Sequence, residues 1–335
     1  VKYTNKLDLP APLVAALKHD EYSAGHSDYT PSSLQRPAYM QKLEETVEPE
    51  QDVADMVYSM MGKAIHNVIE KAGTGEKSFF SEERVYTKFE KWTISMQFDS
   101  LYLDAKNGIL DDYKSCSVYK FKLDHRKSMP AAPEWELQLN IGAYILRKGG
   151  YTMNKMWAPD ESLEMILTEK RVPFSPIHIN QIRIIGILKD YHQSQAKREW
   201  QYPQKPIQMR NFSIWADEKI EFHIRKRATE RDAAKLLPIE EITECSKEEV
   251  WASDDKWALM KKNRKSAVKL FNNKANLISH TIEKDLLNAE KSQEDGPELK
   301  GGHYIEFRPA ERKRCESYCN VSHACPFFKK FKEEK

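Results

Sequence analysis

The chain has 335 residues, enough to bury a large core, either as one domain or as a core with a sizeable extension. Apolar residues make up 40% and charged residues 31%, an ordinary balance for a folded globular protein, and no apolar run approaches the roughly 20 residues of a membrane helix. A formal net charge of +2 does not mark the whole chain as a polyanion binder, so any such role has to rest on local clusters.

The sequence opens on no signal segment, which makes the cytoplasm the expected compartment. Residues 1–40 read as loop-rich, with Pro31 and Pro37 punctuating the stretch from Asp28 to Tyr39. A helix fits residues 52–72, with Val57, Met61, Ala64 and Val68 as its apolar stripe and Gly73 and Gly75 as its stop. Strands fit 83–88, 92–103 and 109–115, the last two joined by a turn at Lys106, Asn107 and Gly108. A helix over 135–146 and a buried strand over 181–188 follow. This order predicts an α/β fold: a mixed central sheet flanked by helices, with hairpin-paired strands joined to a crossover helix. The proline-punctuated stretch from Trp200 to Pro206 suits a boundary, and a mainly helical C-terminal extension is expected beyond it. The expected division is therefore 1–50, 51–200 and 201–335. No internal repeat is found.

Two acidic segments carry the chemistry. Asp99 lies in MQFDSLYLD, and Asp112 and Lys114 lie in ILDDYKS. Asp112 and Lys114 are two apart on one strand and so share a face. Phosphodiester hydrolysis needs carboxylates that hold a hard divalent cation and a cationic group near the attacking water. Taken singly, a D-Y-K triplet is equally well a surface strand. His66 adds to the set: Gly62, His66 and Glu70 lie on the helix side away from the Val57 and Met61 stripe. A neutral imidazole can ligate a metal or contact phosphate, and a solvent-facing histidine is the plain alternative.

With these residues the chain resembles the PD-(D/E)XK nuclease superfamily, specifically its RecB-like branch of phage exonucleases and CRISPR adaptation nucleases. The likeness also runs through YTNKLDLPAPLV, residues 3–14, GILKDY, residues 186–191, and the cysteine-bearing C-terminal region. It implies a helix histidine, His66, a strand aspartate, Asp99, and a D-x-K strand with Asp112 and Lys114, the metal being Mg²⁺ or Mn²⁺ at His66, Asp99 and Asp112. Glu83 in SEERVY matches an acidic position that some members use, with Glu82 beside it as the other choice. Gln138 in WELQLN matches a helix glutamine expected near metal-bound water. The family's tyrosine four residues later is absent: Gly142 stands there, with Tyr144 two positions on. The implied activity is a DNA nuclease, acting as an exonuclease in phage recombination, replication or repair. Its partners would be single- or double-stranded DNA and a recombination or single-strand-binding protein. A structure-selective endonuclease and an inactive DNA-binding subunit are the competing readings.

Cys315, Cys319 and Cys325 form C-x3-C-x5-C, and Cys245 is the candidate fourth ligand. Clustered thiolates suit an iron–sulfur cluster, with Zn²⁺ as the alternative and reduced thiols as the plain one. Cys116, isolated beside the D-Y-K strand, reads as core. Residues 261–274 contain six Lys or Arg and no acidic residue, so Lys261, Lys262, Arg264 and Lys265 are candidates to follow a phosphate backbone. Ser32, Ser33 and Arg36 are further candidates for holding DNA near the site.

Overall fold

A computed structural model describes residues 1–19, 25–72, 78–104, 107–159, 165–293 and 296–334. Gly73, Gly75 and Lys106 lie outside them. The chain divides into two compact units. The larger comprises Tyr3–Arg36 with Gln51–Leu236, and the smaller Val1–Lys2, Pro37–Glu50 and Leu237–Lys335. The core thus extends past the boundary expected near Pro206.

In the larger unit, helix α1 (Val57–Ala72) precedes β1 (Phe79–Ser81), β2 (Arg84–Phe89), β3 (Trp92–Gln97), β4 (Ser100–Leu103) and β5 (Gly108–Cys116). Then come α2 (Pro133–Lys148), β6 (Gly150–Pro159), β7 (Met165–Phe174), β8 (Ile179–Leu188), β9 (Ile207–Phe212) and α3 (Asp217–Leu236). Two sheets result. One has the order β9-β8-β5-β4-β1 and the other β3-β2-β6-β7. Strand β5 runs parallel to β8 and antiparallel to β4. The α2 crossover supplies that parallel pairing, as a mixed α/β core requires.

The single strand expected over 92–103 is two strands in two different sheets. The chain breaks at Phe98 and Asp99, and Phe98 is buried with 3% exposure. Its side chain is held in the core, which leaves Asp99 at the joint between the sheets. The core also contains Ile94, Leu110, Ile141, Ile145, Ile182 and Ile184.

Helix α1 turns the opposite way from its sequence stripe. Met61 and Val68 are 40% and 69% exposed, whereas Ile65, His66 and Ile69 are partly covered. Apolar residues on both sides of the helix made the periodicity ambiguous, and the polar contacts of His66 select the inward face.

The smaller unit carries helices α4 (Lys274–Glu283), α5 (Lys313–Ser317) and α6 (Pro326–Glu333). It also contains a three-stranded sheet that a mainly helical extension did not anticipate. Its strands are β10 (Lys256–Lys261), β11 (Lys269–Phe271) and β12 (His303–Arg308), in the order β11-β10-β12. KWALMK is rich in helix formers and has no β-branched residue, so only pairing with its two neighbours makes it a strand.

Candidate metal centre

Strand β5 lies in the middle of its sheet, and its alternation separates two aspartates that the sequence places side by side. Asp111 forms a bidentate pair with Arg183 of β8, both contacts 2.6 Å. Asp112 faces the other way, buried at 7% exposure, where Lys114 Nζ lies 2.7 Å from its Oδ2. Gln138 of α2 donates its amide to Asp112 Oδ1 at 2.9 Å. Asp112 Oδ2 is buried with the Lys114 ammonium as its partner, and a carboxylate oxygen with that one partner keeps a second lone pair for a cation. Burial pushes the Asp112 carboxyl up, against the pull of the Lys114 ammonium. Burial alone would lower Lys114, but Asp112 and Asp99 outweigh it and keep the amine charged.

Asp99 is fixed by the same strand. Its Oδ2 accepts the Tyr113 backbone N–H at 2.6 Å, while Oδ1 lies 3.4 Å from His66 Nδ1. His66 Nε2 lies 3.1 Å from the Tyr113 carbonyl oxygen. That acceptor assigns the Nε2 position to N–H, leaving Nδ1 to face the carboxylates. Glu82 Oε1 is 3.5 Å from the same Nδ1. Hydrogen bonds to Asp99 and then Glu82 raise the His66 pKa to about 10, so in the absence of a metal a proton bridges the three groups.

Glu82, rather than Glu83, is the acidic residue at the centre. It occupies a left-handed turn position, φ 54°, between β1 and β2, and its Oε2 accepts from Gln97 Nε2 at 2.9 Å. Glu83 is exposed, and its carbonyl accepts the Phe98 N–H. The tight turn reverses the face expected from simple strand alternation. Two adjacent glutamates at a strand start gave the sequence no means of choosing between them.

Donor atoms of His66, Glu82 and Asp99 all lie within 4.8 Å of one another, the one such group of three among the described residues. Oxygen and imidazole donors suit a hard divalent cation of the Mg²⁺ or Mn²⁺ kind. The group opens into a cavity of about 900 Å³ whose lining includes Ser32, Asn67, Met96, Asp112, Lys114 and Gln138. The His66, Asp99, Asp112, Lys114 and Gln138 expected from sequence are therefore brought together here.

Ser32 reaches this cavity. Ser33 is engaged in a capping box with Thr30, and the Arg36 carbonyl accepts from Arg227 and Arg231. Gly142 faces Met96 and Leu110, and a Cβ there would meet the Met96 thioether. Tyr144 is buried and donates to Glu221.

In the smaller unit, Lys261, Lys262, Arg264 and Lys265 are exposed at the β10–β11 turn. The segment after Cys245 is tied to the one bearing Cys315 and Cys319: Arg314 donates to the Glu249 carbonyl at 2.8 Å and Trp251 packs edge-on against Tyr318. Cys325 caps α6. Burial first, then Glu249 and the other three thiols, push Cys245 up to about 12. Burial with Cys319 and Cys325 pushes Cys315 to about 11. The thiols do not converge as the metal centre does, since no three of these sulfurs lie within 4.8 Å of one another. Cys116 is buried in the larger core, as expected.

No protein-family model and no curated protein matches the chain. Among solved structures it is similar to SSO0001, at 12% identity and a TM-score of 0.36, over 66% of this chain and 83% of that one. A likeness at that level fixes neither family nor activity. No helix among the described residues is long and apolar enough to cross a membrane.

Proposed function

We propose that the chain is a metal-dependent DNA nuclease of the PD-(D/E)XK, RecB-like kind, working as an exonuclease. The observation that carries this reading is the convergence of His66, Glu82 and Asp99 beside the buried Asp112–Lys114 pair in one open cavity. His66 through Nδ1, with Glu82, Asp99 and the remaining lone pair of Asp112 Oδ2, would hold Mg²⁺ or Mn²⁺. Such an ion polarises phosphate and acidifies bound water.

The chain's own residues do the rest. Hydrolysis forms a bond from water oxygen to phosphorus and breaks one P–O ester bond. Lys114 is kept cationic, so it serves as a donor that offsets charge growing on the phosphate and not as the base. Gln138 already spends one amide hydrogen on Asp112, which fixes the carboxylate's orientation and leaves the other hydrogen for water or phosphate.

The reading also carries a second, structural centre at the four thiols of the smaller unit, although the sulfurs do not converge there. One zinc ion with ~2.3 Å bonds needs sulfurs ~3.8 Å apart, closer than the spacing here allows for any three. A wider 4Fe–4S cluster would not require that spacing. Its role would be to pin Cys245 to the C-terminal helices.

The test of the hydrolytic reading uses end-labelled linear DNA and closed circular DNA with Mg²⁺ or Mn²⁺. Cleavage of linear DNA only, lost on chelation and in Asp99→Asn, is expected. Cleavage of the closed circle would replace the exonuclease by the endonuclease reading. No cleavage of either with metal bound would leave a DNA-binding subunit.

A further inference from the structure

The sheet of the smaller unit gathers aromatic and basic side chains on one face. Register places Phe271, Trp257 and Phe307 in a single row across three adjacent strands. The next row is Lys269, Leu259 and Ile305, followed by Lys261 opposite His303. Helix α4 covers part of this face, with Leu277 packed in the same cluster as Leu259 and Phe271. The row's outer end stays open: Phe307 is 47% exposed and Trp257 is partly covered. Their ring centroids lie 4.8 Å apart, inclined at 43°. Lys274 Nζ sits 5.3 Å from the Trp257 ring centroid and Lys269 Nζ 5.2 Å from that of Phe271.

Charge agrees with the rings. From Lys256 to Lys274 the chain has seven Lys or Arg and no Asp or Glu. Strand alternation sends Glu306 to the opposite face, where Arg308 holds it at 2.6 Å.

We infer that this row is a stacking platform for single-stranded nucleic acid. Bases lie against Phe307 and Trp257, and phosphates meet Lys269, Lys274 and the turn bearing Lys261, Lys262, Arg264 and Lys265. A duplex keeps its base faces stacked inside, so exposed rings favour a single strand over a duplex of the same charge. The surface stands on its own observations and needs neither metal nor hydrolysis.

The test is binding of the full chain to labelled oligo-dT and to a blunt duplex of equal length, in a chelator so that nothing is cut. Phe307→Ala is expected to weaken oligo-dT binding by roughly five- to 150-fold, the range for loss of one base–ring stack, and to leave duplex binding nearly unchanged. Phe307→Tyr keeps a ring and should keep the affinity. A second variant, Lys269→Gln with Lys274→Gln, removes exposed charges without touching the core. It should reduce the salt slope of oligo-dT binding by about 1.4, at ~0.7 per phosphate contact on a single strand. Wild-type oligo-dT affinity in Phe307→Ala, an equal loss on duplex, or an unchanged salt slope in the lysine variant would each overturn the platform.

Discussion

Asp99 accepts the backbone N–H of Tyr113 at 2.6 Å, so a carboxylate at the joint between the two sheets is held by the main chain of β5. Tyr113 sits between Asp112 and Lys114, and its carbonyl also meets His66. The main chain of Tyr113 therefore sets the positions of two groups at the centre, and its ring packs edge-on against His66. Asparagine at position 99 can still accept that N–H, which separates charge from fold.

The aspartates consequently differ as targets for substitution. Asp99→Asn should abolish metal-dependent cleavage, and in chelator it should also lose the share of the His66 stabilisation that Asp99 supplies. Asp112→Asn should abolish cleavage too, and it takes the nearest counter-charge from the partly covered Lys114 ammonium, so it should lower the melting temperature. Adding Lys114→Met to Asp112→Asn should restore most of the stability and none of the activity. Thermal unfolding and cleavage assays on the three variants decide this. An unchanged melting temperature on adding Lys114→Met to Asp112→Asn would remove the ion-pair argument.

His66 gives the metal-free protein a pH dependence of a definite sign. Its folded pKa of about 10 stands above the ordinary value of 6.5, held there by Asp99 and Glu82. The stabilisation is therefore complete below about pH 6.5 and disappears as pH rises through 10. Between those values the chelated protein should lose stability at this site, and His66→Gln should flatten that part of the curve. A bound cation displaces the proton, so metal affinity should rise with pH over the same window. Unfolding curves across pH in chelator, with proton release measured during metal titration, test both halves. Matching wild-type and His66→Gln slopes would count against the bridging proton.

How much of this was legible beforehand depended on the kind of signal. Asp112 and Lys114 could be paired from strand alternation, and His66 from helix phase relative to Gly62. Asp111, beside Asp112 in the sequence, points to the opposite face, where Arg183 takes it. Glu82 was hidden by its left-handed turn, which no alternation rule describes. The break at Phe98 was hidden as well, because a run from 92 to 103 looks continuous until two sheets claim its halves. In the smaller unit, β10 was concealed by its own helix-forming composition.

Gly142 links the core to the shape of the cavity. A Cβ at that position would run into the Met96 thioether, and Leu110 lies just behind it. Gly142→Ala should therefore overpack the helix–sheet contact by about 1–3 kcal/mol, against about 1 kcal/mol regained in helix propensity. The net loss should shrink when Met96→Val makes room. A double-mutant cycle of melting free energies measures the coupling, and strict additivity would show that Met96 is not what the new methyl meets.

The thiols make the last prediction. Cys245, Cys315 and Cys319 are pushed up first by burial and then by neighbouring thiols and carboxylates, against the pull of Arg312, Arg314 and the Val321 N–H, so in the metal-free protein they are protonated. Binding a cationic centre would release those protons and convert the repulsion into ligation, which ties occupancy to the folding of this unit. Protein purified without oxygen should contain iron and absorb in the visible range. Cys319→Ser should lose that absorbance and expose the chain near Cys325 to protease, while metal-dependent cleavage chemistry at Asp99 and Asp112 stays assayable on the surviving fold. Zinc without iron would contradict the spacing argument, because it requires the sulfurs to close to about 3.8 Å. Protein that is folded, oxygen-protected and free of both metals would leave four reduced thiols packed against the C-terminal helices, and the proposed centre would fall.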